Sequence, residues 1–599
     1  MKKFYTFILL FAMHLTFGQT NQKQYDYFVQ FNGNQLSKKV NIADILNHPL
    51  ISKYKDGPSN LDLAQYASLF QTDQKSTIHG NFTDSIPYYQ VTIPIKNKEA
   101  VKQFFIHQHT DSVGPPIIQD FGKYVVYTKK DQKISFAWND NYLVIVEFTK
   151  KYVSDRYKWD TTAVDSVSVD EPYEEIAVGS VESNDKKVTE SDDAEEEDEE
   201  EYTGTSNADY EKAKADFDYL QAEQQHLFIK SLFENGFIAP NSDKINAAAD
   251  ISSWLNYSSA MSTLNSSYGA LSQLSSYNKF LPMQNNFGKL VKGINLDFYF
   301  DNDNARIEEV VEYSQPMASI VEKMTNRKIN KNIFNYFPDE KPLGYMSYHL
   351  NSKAVIENFP SLTAELFQSP KLLKEDITLV TDLISTIIDE EATATLFDGD
   401  LSMFFYNMKE AEVTTKSYGY DENYEETVTE QKIKKSIPLF SVVFTSTHPT
   451  FGDKLIQLGV RKKLLVQKGD YYQIAGTEEY GTLFIKKDKD VVVVANTLDY
   501  FNTGKGSFAK EAKNALKKNY ISGKLNLAGL ANVYNSTGET RKTQLNKIKR
   551  ITQQFNDITI ESPKKLIDNK LVFGFKLNAA KSDKNIILQT LDLAEELSK

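Results

Sequence analysis

Alternating hydrophobic and polar residues predict β-strands along much of this chain. The clearest example runs from Ile134 to Asn139, where Ile, Phe and Trp occupy alternate positions. A period of two places those three side chains on one face of an extended strand. Further strands are predicted at Tyr142–Phe148, Ile251–Leu255, Ile294–Phe300, Arg306–Tyr313, Leu401–Tyr406 and Leu571–Leu577. Their content of aromatic and β-branched residues is typical of antiparallel sheets.

Helical patterns alternate with these strands. Residues Ala208–Phe233 are mainly strong helix formers, and Gly236 follows at the usual stop position. Other helices are predicted at Asp376–Ile388, Gln544–Phe555 and Asn585–Leu597. Strands interspersed with helices in this way predict an α+β fold with mainly antiparallel sheets.

One pattern recurs within the chain. Ser85-Ile86-Pro87 and Ser436-Ile437-Pro438 each precede an apolar strand, a helix start and three short strands. A third, partial copy is predicted because the run from Asn351 to Val355 resembles the helix start at Asn97. Repetition on this scale predicts an architecture of repeated strand, helix and antiparallel-strand units, arranged in two or three domains.

Composition suggests where those domains end. Ten carboxylates lie between Glu190 and Glu201, and such a run repels itself and cannot form a core. The predicted organisation is a signal peptide at 1–18, an α+β domain at 19–160, an acidic disordered linker at 161–206, a central α+β domain at 207–410 and a C-terminal α+β domain at 411–599.

The N-terminus predicts export. Lys2 and Lys3 precede an uncharged stretch from Phe4 to Phe17, and a cleavage site is expected before Gln19. The apolar stretch is short for a membrane span, and no transmembrane segment is expected in the mature chain. The chain contains no Cys, so we expect a periplasmic or extracellular protein that is not a lipoprotein.

Charge argues against nucleic acid as a partner. The formal net charge is −13, and the acidic run supplies most of it, so the rest of the chain is close to neutral. We find no stripe of Lys and Arg that could neutralise a phosphate backbone.

The sequence offers no catalytic, cofactor-binding or metal-binding residue that we would assign. It lacks the G-x-S-x-G pattern of many serine hydrolases, and the absence of Cys excludes thiolate chemistry. His107 and His109 are better explained as exposed residues than as metal ligands. Asp301 and Asp303 fit a hairpin turn better than a calcium loop, because Ala305 and Arg306 stand where that loop needs an oxygen ligand and a Gly.

One exposed aromatic cluster could contact a partner. Tyr418, Tyr420 and Tyr424 lie within Ser417–Glu430, a polar segment that predicts the tip of a long hairpin. Trp138 and Trp254 sit at apolar positions of predicted strands, so core packing is expected for both.

Three segments carry a resemblance to a known family. The strand from Asp250 to Asn256, the step Asp398-Gly399-Asp400 into a strand, and the strands between Gly469 and Asn496 resemble a domain of unknown function from exported proteins of Gram-negative envelopes. The resemblance covers most of the chain after the acidic linker. It implies residence in the envelope and an α+β fold, and it supplies no activity and no functional residues. Members usually look lipid-anchored, and this chain differs in lacking Cys.

These observations favour an exported, non-catalytic binding or scaffolding protein whose partner is an envelope protein or a glycan. Two alternatives stay open. One is a hydrolase that uses distant carboxylates, such as Asp398 and Asp400 with Glu390 or Glu391. The other is a periplasmic chaperone or assembly factor.

Overall fold

The computed structural model describes residues 25–52, 67–82, 87–108, 117–128, 134–149, 207–237, 244–261, 288–368, 373–387, 389–420, 424–477, 481–499, 505–536 and 542–598. The predicted signal peptide and acidic linker lie outside these residues, as do His109 and Trp159.

Twenty β-strands in the described residues belong to a single sheet. In the first part of the chain they are β1 (Tyr27–Asn32), β2 (Lys75–Asn81), β3 (Tyr88–Pro94), β4 (Ile117–Asp120), β5 (Val125–Thr128), β6 (Ile134–Trp138), β7 (Tyr142–Phe148), β8 (Ile251–Asn256), β9 (Val291–Phe300) and β10 (Asn304–Tyr313). They continue as β11 (Gly344–His349), β12 (Asp400–Tyr420), β13 (Glu426–Thr445), β14 (Leu465–Lys468), β15 (Tyr471–Ile474), β16 (Leu483–Asp488), β17 (Val491–Ala495), β18 (Asn519–Asn526), β19 (Phe555–Pro563) and β20 (Lys570–Ala579).

Helices connect these strands and pack on both faces of the sheet. They are α1 (Gly33–Leu36), α2 (Ile42–Leu46), α3 (Pro49–Ser52), α4 (Lys98–Gln108), α5 (Asn207–Asn235), α6 (Gln315–Thr325), α7 (Ser352–Phe367), α8 (Lys374–Ile387), α9 (Glu390–Leu396), α10 (Phe451–Arg461), α11 (Ser507–Lys518), α12 (Leu527–Ser536), α13 (Lys542–Gln554) and α14 (Ile586–Ser598), with a short 3₁₀ helix at Lys331–Tyr336.

All pairs of neighbouring strands are antiparallel. From one edge to the centre the order is β4, β5, β6, β7, β3, β2, β1, β8, β9 and β10. From the opposite edge to the centre it is β14, β15, β16, β17, β13, β12, β11, β18, β19 and β20. The prediction of an α+β chain with mainly antiparallel sheet is therefore confirmed.

The two series of ten strands meet at the pair β10 and β20, where Glu308 lies opposite Gly574. We call β1–β10 the first series and β11–β20 the second series. The strands of the two series occur in the same lateral order. Each strand of the first series corresponds in position to the strand numbered ten higher, from β1 and β11 to β10 and β20. The sheet is thus continuous across the middle of the chain.

Side chains on adjacent strand positions point to opposite faces, so the sheet has two distinct sides. On the back face, Phe28 and Trp254 are buried, and helix α5 packs through Phe228 and Ile229 near the first edge. Helix α11 covers the corresponding back face of the second series. The opposite side, which carries Phe31, is called the groove face.

Local sequence signals account for several elements. The Asn97 side chain accepts a hydrogen bond from Ala100 N at 3.0 Å at the start of α4, and Asn351 caps α7 in the same manner through Ala354 N at 3.2 Å. Asn supplies the acceptor that the first free N–H groups of a helix need. The predicted hairpin across 301–304 is also present, between β9 and β10.

The hairpin of β12 and β13 is longer than the predicted strand Leu401–Tyr406. Its two strands remain paired from Leu401 and Phe444 out to Tyr420 and Glu426. The outer half is mostly polar, with single apolar pairs such as Val413 and Ile433, so it lacks the regular alternation by which a strand is recognised. Two strands can nevertheless satisfy each other's backbone groups in water. Residues 410 and 411, the predicted domain boundary, both lie within β12.

Candidate functional site

The groove face of the first series carries a large apolar depression. Its floor includes Phe31, Ile78, Val91 and Ile251. These residues lie on neighbouring strands and share one face, since Phe31 is opposite Ile251 and Ile78 is opposite Val91. The apolar face of the sheet therefore forms the base of a site instead of packing entirely against helices.

Helices from both ends of the chain form the walls. Leu36 of α1, Ile42 and Ile45 of α2, and Ile587 and Leu591 of α14 belong to the lining, and α14 also contacts α2 and α3. The space between them has a volume of about 660 Å³ and is open to solvent. We call this space, with the floor and walls just described, the apolar groove. A groove of this volume lies within the range that small-molecule ligands occupy.

One residue of the groove lining is a buried aspartate. Asp250 is 0% exposed, and its Oδ2 accepts hydrogen bonds from Lys39 Nζ at 2.9 Å and from Phe300 N at 2.6 Å. Among the described residues, no group donates a hydrogen bond to its Oδ1. A buried acceptor without a donor costs free energy, and less than 1 Å² of this oxygen is accessible from outside.

Lys39 connects Asp250 to a second carboxylate. Its Nζ lies 3.0 Å from Asp301 Oδ1 in the turn after β9. Burial lowers the pKa of Lys39, whereas its contacts with Asp250 and Asp301 raise it, and the net pKa lies above the ordinary value. The ammonium group is therefore charged at neutral pH and shared by two carboxylates.

A second apolar depression lies on the groove face of the second series. It has a volume of about 430 Å³ and is lined by Met346, Met403, Val442 and Ile560, among others. Its helical surroundings differ from those of the apolar groove, because α6 packs on the neighbouring floor residues Ile521 and Leu571.

One lateral row of residues connects the two depressions. Each member lies directly opposite the next on the adjacent strand, and the row consists of Phe31, Ile251, Phe298, Ile307, Phe575, Ile560, Gly523, Met346, Met403 and Val442. Ile307 and Phe575, at the junction of the two series, are each 37% exposed. We call this row the apolar track; with strands about 4.8 Å apart, it spans about 40 Å.

A separate polar cavity of about 570 Å³ lies on the back face near the centre of the sheet. Its lining includes Lys75, Lys244 and Asp297. Lys244 Nζ sits 3.6 Å from the centre of the Trp254 ring, and Asn246 Nδ2 donates to Asp297 Oδ2 at 3.0 Å. Lys244 and Asp297 are thus each engaged with a neighbouring side chain.

The carboxylates of the predicted hydrolase alternative lie in an ion cluster of the second series. Arg327 donates to Asp398 through Nη1 at 3.1 Å and Nη2 at 2.5 Å, and Nη2 also lies 3.2 Å from Asp400 Oδ2. His349 Nδ1 contacts Asp400, and its Nε2 lies 2.8 Å from the Arg327 carbonyl oxygen. Asp398 and Asp400 are therefore close together, with an arginine bound to both.

The glutamates of that alternative lie elsewhere. Glu391 is 77% exposed and faces Lys353 Nζ at 3.4 Å. The side chain of Glu390, which begins α9, is outside the described residues. The described residues contain no group of three or more His, Asp or Glu side chains that could hold a metal ion.

The structure places the predicted tyrosine cluster at the far end of the β12 and β13 hairpin. Tyr418 is 66% exposed and lies opposite Val428, and Tyr424 is 88% exposed with a positive φ of 62°. Tyr420 ends β12, and its side chain is outside the described residues. A contact role for this tip stays a prediction. Trp138 and Trp254 are buried, as predicted.

Sequence reasoning did not identify the residues of the apolar groove. The signal that was present is the alternation in β9, where Ile294, Leu296, Phe298 and Phe300 share the groove face. That alternation shows that one face of the strand is apolar. It does not show whether helices cover the face, because α14 reaches the groove from the end of the chain.

Comparisons with known proteins leave the function open. No family model matches the sequence, and no curated protein matches it. A solved structure described as crystal form III of TP0453 aligns with 52% of this chain and 80% of its own, at 8% identity and a TM-score of 0.20. A TM-score this low supports no statement about fold or function. Among the described residues, no helix is both long and apolar enough to span a membrane.

Proposed function

We propose that this protein is an exported, non-catalytic binding protein of the cell envelope that holds an apolar ligand in the apolar groove. The observation that carries the proposal is the open groove of about 660 Å³ on the sheet face, lined mainly by apolar side chains. Exposed apolar surface is unfavourable in water, and a contiguous patch of this kind is typical of a binding site.

The location in the envelope rests on the sequence. The basic N-terminus, the apolar stretch from Phe4 to Phe17 and the resemblance to exported envelope proteins all support it. An apolar ligand in that compartment would need a protein to shield it from water, because its transfer into water is unfavourable.

We further propose that the two series of strands are two copies of one ten-stranded unit. The shared lateral order supports a division into two ten-stranded copies better than it supports a division into shorter strand and helix units. Under this division β13 is the counterpart of β3. Ser85-Ile86-Pro87 directly precedes β3, and its repeat, Ser436-Ile437-Pro438, lies within β13. Asn97 follows β3 whereas Asn351 follows β11, so the third partial copy is not equivalent to the first.

A fluorescent probe tests the binding function directly. N-phenyl-1-naphthylamine is uncharged and becomes more fluorescent in apolar surroundings, and we expect saturable binding to the purified protein. Thr590 is exposed on α14 and lines the apolar groove, so Thr590→Trp would fill part of it. We expect this variant to weaken probe binding by about tenfold or more, since each buried methylene contributes about 0.8 kcal/mol.

Thr386→Trp is the matched control. Thr386 is also an exposed helical threonine whose hydroxyl donates to the carbonyl four residues earlier, as Thr590 does. It lies on α8, away from the groove lining. Probe binding that is not saturable, or that weakens equally in both variants, would contradict the proposal.

A further inference from the structure

We infer that this protein associates with itself head to tail, with helix α8 of one copy docked on helix α10 of the next. The inference goes beyond the proposed function, because the described residues of both helices lie outside the groove lining. It follows from two exposed apolar helix faces, from charges of opposite sign beside those faces, and from the equal spacing of those charges.

Helix α8 turns its apolar face to solvent. It packs on α7, and its buried residues are Ile377 and Thr381. Five large apolar side chains are between 45% and 79% exposed, namely Leu379, Val380, Leu383, Ile384 and Ile387. Their spacing places them on one face of the helix. A helix that buries a threonine and exposes such a face presents a surface for docking.

Helix α10 presents a second apolar face, at the outer edge of the second series. It packs on β14, and its buried residue is Gly459. Phe451, Leu455 and Leu458 are between 39% and 51% exposed, and they are three or four positions apart. They therefore share one face of the helix, as the apolar residues of α8 do.

Charged side chains accompany each apolar face. Glu375 and Asp382 are exposed on α8, and Lys454 and Arg461 are exposed on α10. Each pair is seven residues apart, which is two helical turns, so both members lie on the same side of their helix. The separation along the axis is about 10.5 Å in both helices. The negative pair on α8 thus matches the positive pair on α10 in sign and spacing.

The charges of the opposite kind on each helix are engaged within the chain. Lys374 at the start of α8 contacts Glu365 of α7. Asp453 of α10 lies 3.0 Å from Lys487 Nζ of β16. The surfaces offered to a partner are therefore acidic on α8 and basic on α10.

Antiparallel docking of α8 on α10 joins these features. It sets Glu375 against Arg461 and Asp382 against Lys454, and it brings the two apolar faces together between the pairs. The antiparallel order also places the positive end of one helix dipole beside the negative end of the other.

Symmetric pairing of like helices is disfavoured by the same charges. Antiparallel α8 on α8 would set Glu375 against Asp382, and antiparallel α10 on α10 would set Lys454 against Arg461. Juxtaposed like charges suppress such pairings. The contact is therefore heterologous, and repeating it from copy to copy gives a closed ring or an open filament.

Sedimentation velocity of the purified protein tests the association. We expect the average mass to rise beyond that of a dimer as the concentration increases from about 1 to 100 μM. Leu383→Asp in α8 and Leu455→Asp in α10 should each leave a monomer, because each places a charge in the contact. Leu220→Asp is the matched control, since Leu220 is 55% exposed on α5, and it should associate as the wild type does.

Mixing the two variants distinguishes a heterologous contact from a symmetric one. Leu383→Asp keeps an intact α10 and Leu455→Asp keeps an intact α8, so an equal mixture should form a one-to-one dimer that cannot grow. Either variant forming a dimer by itself would contradict the inference. A mixture that stays monomeric would contradict it as well.

Charge exchange tests the assigned pairs. Asp382→Lys and Lys454→Asp should each weaken association about fivefold, and both together in one chain should restore it to within about twofold. Glu412→Lys, an exposed change on the β12 and β13 hairpin, is the control and should have no effect. A double variant that associates no better than the single variants would remove these pairs.

A wild-type protein that stays monomeric over the whole range would overturn the inference. Monomeric protein that binds phosphatidylcholine vesicles through α8, and loses that binding in Leu383→Asp, would assign the face to a lipid surface instead. Neither result would affect probe binding in the apolar groove, so failure here is distinct from failure of the proposed function.

Discussion

Two buried histidines show how the first and second series differ although their strands follow one order. In the first series, His79 stacks on Phe28 at 5.3 Å and lies edge to face with Tyr88 at 6.1 Å. Among the described residues, neither of its ring nitrogens has a hydrogen-bond partner. In the second series, both ring nitrogens of His349 are engaged, with Asp400 and with the Arg327 carbonyl. The same strand order thus accommodates an aromatic core in one place and an ion cluster in the other.

The helices that follow β3 and β13 differ as well. Helix α4 buries Phe104 and Phe105 against Trp138 and its neighbours. Helix α10 leaves Phe451 and Leu455 substantially exposed. Backbone pairing sets the strand order, and it places no demand on how much apolar surface each connecting helix buries.

The groove face shows the contrast that matters for function. In the first series α14 packs on the sheet beside the open apolar groove, whereas in the second series α6 packs on the sheet, α7 packs on α6 and α8 packs on α7. The second series has a smaller depression, of about 430 Å³, and it also exposes apolar residues on α8, including Leu379 and Leu383. The extent of open apolar surface therefore depends on helix placement and not on strand order.

The largest expected difference in the free energy of unfolding is between variants of α4 and α10, the helices that follow β3 and β13. Phe105→Ala should lower the free energy of unfolding by about 3–5 kcal/mol, because it leaves a cavity in a packed aromatic core. Leu455→Ala should cost below about 1 kcal/mol, since its side chain is already about half exposed. Urea unfolding of both variants measures the difference. Equal losses would show that the two helices are packed alike in solution.

A loss of similar size is expected in the ion cluster of the second series. Asp400→Ala removes a partner of both Arg327 and His349, and breaking a buried ion pair costs about 3–5 kcal/mol. Glu412→Ala is the control, because it breaks an exposed pair with Lys432 at 3.2 Å and should cost below about 1 kcal/mol. Chemical denaturation compares them, and a small loss for Asp400→Ala would mean that the cluster does not stabilise the second series.

The smallest effect is the pH dependence that His79 gives to the first series. Burial lowers the pKa of His79 to about 4, from 6.5, so the unfolded chain binds a proton in that range and the folded chain does not. Stability is then lost as the pH falls from about 6.5 to about 4, by about 3 kcal/mol in total. His79→Phe should remove this part of the dependence.

His107→Phe is the control for that experiment, because His107 is exposed on α4. The measurement is urea unfolding at several pH values between 4 and 7. The same slope in wild type and His79→Phe would show that His79 is hydrated in the folded protein, and the contrast with His349 would then disappear.

Local patterns in the sequence predicted many elements of the fold. Alternation gave the β9 and β10 hairpin, and the helix predicted at Asn585–Leu597 is present as α14. Both depend on neighbouring residues alone, since the side-chain periods of strands and helices are local properties. The outer part of β12 and β13 was harder to recognise, because its residues are mostly polar and do not alternate regularly.

The candidate site was beyond such reasoning because its parts are far apart in sequence. Lys39 follows α1, Asp250 precedes β8 and Asp301 follows β9, and the three come together only in the folded chain. Each residue taken alone is an ordinary lysine or aspartate in a loop. The tyrosine cluster at Tyr418 and Tyr424, in contrast, could be placed on an exposed tip, because a run of polar residues between two strands is a local signal.

The sequence by itself determined the α+β class, the antiparallel character of the strands and the position of most helices, because these follow from local periodicity. It also contained the Ser-Ile-Pro recurrence. The tertiary structure decided that all the described strands form one sheet, and that residues of α1, α2 and α14 line one groove over its apolar face. Register and helix packing depend on contacts between residues hundreds of positions apart, so only the folded chain reveals an open apolar groove.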